Sequence, residues 1–345
     1  MNPIKLDQWS LLAGLRFLLA LIVASGHLHL FVPRLGLMTP FAHLGSIEPV
    51  LGFLVISGYS IGFSYSKNPD GFFSRRLHRI YPIYLASIIL TLLVHVAIRH
   101  ESLPQPGTLV LNGLFLNQIF TSSYVGPAWS LSLEFWLYCL VPFFFRSSPG
   151  FLKSAAWFSF ASFVVYSWCR SIFHLPYFSE VEYGGNLLIL SFIWICGLRL
   201  ADPRSDKEVV LWEIGIMFSL QVITILLIEL ASLGKHHDLM GFFRQNHAET
   251  AMHATPLLIT FLVFFFLVLQ KNAGQQRSST LRFFGDISYP LYLVHIPVYS
   301  ALAWWGVNNS LLLIGSALGV STLIYMVLDR YSQRRHLGLS KPILP

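Results

Sequence analysis

The sequence predicts an all-α fold: a polytopic membrane helix bundle of about ten transmembrane helices, one domain over residues 1–345, both termini cytoplasmic and no fused soluble domain. Three observations predict it. Hydrophobic residues fill 54% of the 345 positions and charged residues 11%, against about 25% charged in a soluble domain. Apolar stretches of roughly 17–25 residues, the length that crosses a bilayer, recur along the chain, and the gaps between them reach only roughly 20 residues, too few for a separate domain. The basic residues also segregate. With the amino terminus inside, Arg34, Arg99, Arg170, Lys235 and Arg244 fall outside and Arg16 within the first span, so 17 of the 23 lysines and arginines fall inside. That asymmetry is the positive-inside pattern of a multi-pass protein. The net charge of +7 is thereby explained without a nucleic-acid partner.

The spans lie at about 9–31, 44–65, 80–98, 127–145, 151–173, 184–201, 208–232, 251–270, 284–304 and 309–330. The first has too long an apolar run for a cleaved leader. The stretch 109–120, flanked by Pro104, Pro106 and Pro127, is too short to span and reads as re-entrant or interfacial. Cys139, Cys169 and Cys196 sit in or beside apolar runs and read as small buried hydrophobes. In the outer loop before the eighth span, His236, His237, Asp238, His247, Glu249 and His253 offer no convincing ligand pair on one helix, so no metal is expected. Glu48 reads as a solvated loop acid, with contact to His27 or an acceptor as the alternative.

Four constellations carry chemistry. In the first span, Arg16 and His27 are eleven residues apart, which is three turns, one face and roughly 16 Å. An arginine in lipid costs at least about 2.5 kcal/mol, so such a residue turns inward. His27 suits proton transfer near neutral pH, or else a polar helix end bonded to a backbone carbonyl. His29, about 200° round the helix, reads as interfacial. Next, Arg75, Arg76 and Arg79 lead into the third span from the inner side. Paired guanidiniums there suit phosphate, or simply anionic headgroups.

Third, Glu134 is the only acid well inside an apolar span, in the run Trp129-Ser130-Leu131-Ser132-Leu133-Glu134-Phe135-Trp136. A buried carboxylate needs a partner. It reads either as the acid that orients His27, in the manner of a catalytic triad, or as a structural lock. Fourth, His295 lies mid-span between two prolines in the run from Ile287 through Ser288, Tyr289, Pro290, Leu291 and Tyr292 to Pro297. It is a second intramembrane histidine, functional or interhelical. The run Ile56-Ser57-Gly58-Tyr59 reads as helix packing or a local break.

These elements, in this order over residues 6–330, resemble acyltransferase family 3, membrane proteins that modify sugars and related acceptors. The resemblance implies a ten-helix bundle that takes an acyl group, most often acetyl, from cytoplasmic acyl-CoA and passes it to a hydroxyl of a sugar, frequently of a surface polysaccharide. It implies a multi-pass place in a bacterial inner membrane. His27 would be the catalytic histidine, with Arg16 its companion on the helix and Glu134 in the same site. Arg75, Arg76 and Arg79 would contact the acyl-CoA; Trp129, Ser130, Ser57, Tyr292 and His295 would shape the site. Many members carry an aspartate where this chain has Ala13. A competing class is a secondary transporter with Arg16, His27 and Glu134 as proton relay, although no duplicated halves are visible.

Overall fold

The computed structural model describes residues 7–45, 47–235, 248–269 and 276–329. Among them, ten long helices follow in order: α1 (Gln8–Gly26), α2 (Glu48–Lys67), α3 (Phe72–Leu93), α4 (Trp129–Arg146), α5 (Pro149–Phe173), α6 (Gly185–Ala201), α7 (Lys207–Lys235), α8 (Ala248–Leu269), α9 (Ser279–Trp304) and α10 (Ser310–Ile324). Among the described residues there is no β-strand. Among the described residues, seven segments suffice by length and composition to cross a membrane: Gln8–Leu30, Glu48–Lys67, Phe72–Ile98, Gly126–Arg146, Lys207–Ala231, Thr250–Val268 and Ser310–Leu328. Seven of the ten expected spans meet this measure. The other three predicted spans are helices with a physical reason to differ. α6 has only 17 residues. α9 carries Arg282, Asp286 and His295 together with two prolines, and α5 carries Lys153 and Arg170. The terminal residues expected in the cytoplasm, Lys5 and 330–345, lie outside the described residues, as do His236, His237, Asp238 and His247.

Asp7 starts α1. Its carboxylate accepts from the backbone N–H of Trp9 at 2.8 Å and of Ser10 at 2.9 Å, the usual remedy for unpaired amides at a helix start. Arg282 on α9 pairs with the same carboxylate at 3.2 Å. From there α1 and α9 run parallel. Phe17 meets Phe284 near one end and Phe31 meets Tyr299 near the other. At His27 the α-helix gives way to a 3₁₀ turn, His27–Leu30, so that histidine closes the helix.

Small residues set the tightest crossings. A Cβ on Gly58 of α2 would lie 2.0 Å from the Trp194 carbonyl of α6, and one on Gly197 of α6 would lie 2.2 Å from the Val55 carbonyl of α2. Backbones approach this closely in membrane bundles only where side chains are absent. Gly58 is therefore a packing residue, and α2 is unbroken there. The same holds where a Cβ on Gly285 would fall 2.5 Å from the Ala13 Cβ.

The core between the helices includes fully buried Leu19, Leu51, Phe192, Trp194 and Leu291. Leu85, Ile89, Leu93, Phe158, Val165 and Leu312 are exposed, an apolar surface that lipid solvates and water would not. Buried charges at the α5–α6–α7 contact are paired. Arg199 of α6 bonds Glu213 of α7, and Lys153 of α5 reaches the same acid at 3.2 Å. Glu48, expected to be solvated, is instead 2% exposed in the first turn of α2, 3.5 Å from the Gln221 amide of α7. The stretch 109–120 does not span: a short helix, Pro106–Gly113, leads into a loop.

Candidate active site

Helix α4 organises the site because its polar residues fall at helical spacing on two faces. Ser132 and Trp136 share one face and grip the loop before α4. The Ser132 hydroxyl lies 2.7 Å from the Phe115 carbonyl and 2.9 Å from that of Asn117, and the Trp136 indole N–H donates to Phe115 at 2.9 Å. Ser130, Glu134 and Tyr138, four residues apart in succession, share the other face. The Ser130 hydroxyl meets the Tyr292 hydroxyl of α9 at 2.7 Å. Glu134 accepts from Ser57 of α2 and, at 2.5 Å, from Tyr138. The Trp194 indole in turn donates to Ser57 at 3.2 Å. Trp129, 7% exposed, opens the helix.

Glu134 sits among cations. Arg16 lies in its electrostatic field together with Arg79, Tyr138 and Asp286, and Arg76 lies in the field of Tyr138, Arg79, Glu134 and Arg16. Three guanidiniums and two carboxylates thus act on this region of the bundle, which leaves a net positive charge suited to an anion. Arg75 is not part of it. Its guanidinium turns back to the loop before α3, bonding the Asp70 carbonyl and, at 2.5 Å, that of Asn68. The Asp286 carboxylate is held by the Tyr325 hydroxyl at 3.0 Å and follows Gly285, the residue packed on Ala13. The acid near Arg16 here comes from α9, not from position 13.

His27 has a different partner from the acid expected. Its Nδ1 lies 3.0 Å from Nε2 of His295, and the two rings stack at 5.1 Å. His295 is wholly buried, and its Nδ1 lies 2.9 Å from the Leu291 carbonyl one turn back. Tyr299 packs edge-on to His295 and donates to the Ala24 carbonyl at 3.3 Å. A carbonyl only accepts. With both rings neutral, His295 therefore carries its proton on Nδ1, its Nε2 accepts, and His27 donates from Nδ1. The Val23 carbonyl one turn back also accepts from the His27 ring, and in this tautomer the lone pair of His27 is on Nε2. His29 is exposed.

The two polar centres are stacked along the bundle. Tyr292 precedes His295 by one turn of α9, and Glu134 follows Ser130 by one turn of the oppositely directed α4. At 1.5 Å per residue, Glu134 lies roughly 10 Å below the histidines. The Ser130–Tyr292 contact fills the step between them. Tyr138, Trp194 and Tyr299 have no part in the sequence reading. Only Tyr138 carried a signal, its four-residue offset from Glu134; the others come from helices that tertiary packing brings in.

This arrangement, a basic pocket below a histidine pair in an apolar bundle, coincides with a family match. The sequence model of an acyltransferase domain, that of acyltransferase family 3, covers residues 10–330. The chain belongs to this family. Acyltransferase MdmB of Streptomyces mycarofaciens is 26% identical over 324 residues, covering 86% of this chain and 80% of its own. A protein of Acidianus two-tailed virus named as an acetyltransferase, ORF330, is 24% identical over 271 residues, covering 73% of this chain and 70% of its own. No solved structure matches the chain.

Proposed function

We propose that this membrane acyltransferase moves an acyl group, acetyl first among candidates, from cytoplasmic acyl-CoA to a hydroxyl of a sugar or surface polysaccharide at a bacterial inner membrane. The observation that carries the reading is the chain Leu291 carbonyl, His295, His27, which leaves His27 Nε2 as a base. A sugar hydroxyl is a weak nucleophile until its proton is removed. Nε2 takes that proton as the oxygen attacks the thioester carbon. The carbon–sulfur bond then breaks, and the proton passes to the departing thiolate, restoring the neutral pair.

The basic pocket supports the choice of donor. CoA is a polyanion, and Arg76 and Arg79 face the same cluster as Arg16. Arg16 lies roughly 16 Å from His27 along α1, a gap that the extended arm of the donor would bridge. Glu134, held by Ser57 and Tyr138, serves by balancing part of the arginines' charge. The name of the viral relative is consistent with acetyl as the group moved.

The test uses membranes carrying the protein or its His27→Ala variant, radiolabelled acetyl-CoA and glycan. The expected result is label in the glycan with the wild type alone, a loss of at least about 10²-fold in the variant. Near-normal transfer by His27→Ala overturns the role given to His27, and no thiol release from any of several acyl-CoA donors overturns the acyl-transfer reading.

A further inference from the structure

At the histidine end of the bundle lies a polar cavity of about 370 Å³, lined by Gln118, Ser122, Ser123, Ser179, Glu180 and Glu182. Gly126, also in its wall, brings it against α9. A Cβ there would sit 3.0 Å from Cδ1 of Ile296, the residue after His295. The wall is built, not incidental. The loop that carries it is tied to α4 through Ser132 and through the Asn117 amide, which donates to the Ala128 carbonyl at 3.3 Å.

Two observations point to a ligand. Gln118 is 4% exposed, yet its side-chain Oε1 has no hydrogen-bond partner. A buried acceptor in that state lacks a donor that a ligand can supply. Glu180 and Glu182 are exposed, with no ion-pair partner among the described residues. Arg170, at the end of α5 on this side, lies over the Tyr177 ring at 4.8 Å instead.

We infer that this cavity is an acceptor subsite selective for a hydroxylated ring bearing an amine, an amino sugar in its cationic form. The Ser122 and Ser179 hydroxyls and the Gln118 amide match ring hydroxyls in both donor and acceptor roles, while the Ser123 hydroxyl is held by the Val125 carbonyl and the Asn117 amide. The two carboxylates attract an ammonium and repel a uronic acid or a phosphorylated glycan. The inference rests on the acyl-transfer reading only in making this end the acceptor side.

Purified full-length protein in detergent, without acyl donor, is titrated calorimetrically with glucosamine trimer, its N-acetylated counterpart and galacturonic acid trimer. The amine trimer is expected to bind about fivefold tighter than the N-acetylated one, as two exposed charge contacts allow. The acidic trimer is expected to bind weakest, and the preference to shrink as salt rises. Glu180→Gln with Glu182→Gln removes the preference, and Gln118→Ala weakens both neutral and amine trimers. Equal affinity for the amine and N-acetyl trimers, or a preference that survives in the double variant, overturns the inference. Binding is read apart from chemistry. A protein that releases no thiol from any acyl-CoA donor removes the acyl-transfer reading and leaves the binding result standing.

Discussion

Replacing His295 tests the proton-holding chain most directly. His295 is wholly buried and sits between the Leu291 carbonyl and His27 at 2.9 and 3.0 Å. In His295→Phe a ring of similar size fills the space, but His27 loses the His295 acceptor and keeps only the Val23 carbonyl beside it. A buried donor left unpaired costs about 1–3 kcal/mol. If His27 escapes that cost by moving its proton to Nε2, the base is lost from the catalytic position. The expected loss in kcat is then about 5- to 150-fold, at tenfold per about 1.4 kcal/mol. KM for acyl-CoA is expected to hold, because the arginines stand roughly 10 Å or more away. The assay is release of free CoA thiol by purified protein at varied acyl-CoA. His295→Gln, which offers a side-chain carbonyl as acceptor, is expected to recover part of kcat. A merely structural role for His295 would not produce that recovery. A kcat within twofold of wild type in His295→Phe, or a loss expressed only in KM, refutes the argument.

Other outcomes follow from other parts of the fold. Glu134→Gln, and Arg76→Ala combined with Arg79→Ala, are expected to raise KM for acyl-CoA about tenfold, the scale of one lost charge-assisted contact. If Glu134→Gln instead lowers kcat at constant KM and alters the pH profile, the acid acts on His27 and not on the arginines. Gly58→Ala places a methyl 2.0 Å from the Trp194 carbonyl and is expected to cost about 1–3 kcal/mol as overpacking. It should lower Tm in detergent and move Ser57 off Glu134; an unchanged Tm would show that α2 and α6 separate freely. At Asp202, in the turn after α6, burial raises the carboxyl, but the hydrogen bonds and charge of Arg204 outweigh it and hold it below the usual carboxylate value. A carboxylate depressed in the folded state stabilises above its unfolded value, about pH 4, and that contribution disappears as pH falls through the folded value. Tm measured downward from pH 6 should therefore fall less for Asp202→Asn than for wild type, and parallel curves would contradict the pairing.

Helical class, approximate span positions and the inward-facing polar residues were legible in the linear chain. Each depends on local quantities: apolar run length, helical period, and the cost of a charge in lipid. Arg16, Arg76, Arg79, Glu134 and His295 declare themselves because nothing else in an apolar helix explains them. Partnership was not legible, because it depends on which helices become neighbours. Arg75 shares a motif with Arg76, yet its guanidinium is drawn to the Asp70 and Asn68 carbonyls. Glu48, at the edge of an apolar run, is buried, with the Gln221 amide of α7 reaching its carboxylate.

The sequence by itself determined that this chain is an apolar helical bundle, that it carries a histidine at the end of its first helix, and that it shares a family with known acyltransferases. Each follows from residue type and spacing along one helix. Only the tertiary structure decided that His27 meets His295 and that Glu134 meets Ser57 of α2 while lying in the field of the arginines. The parallel packing of α1 on α9, allowed by Ala13 against Gly285, brings the two histidines to one level. The opposite run of α4 carries Glu134 down to the guanidiniums, so the pairing of charge and base is a property of helix neighbours.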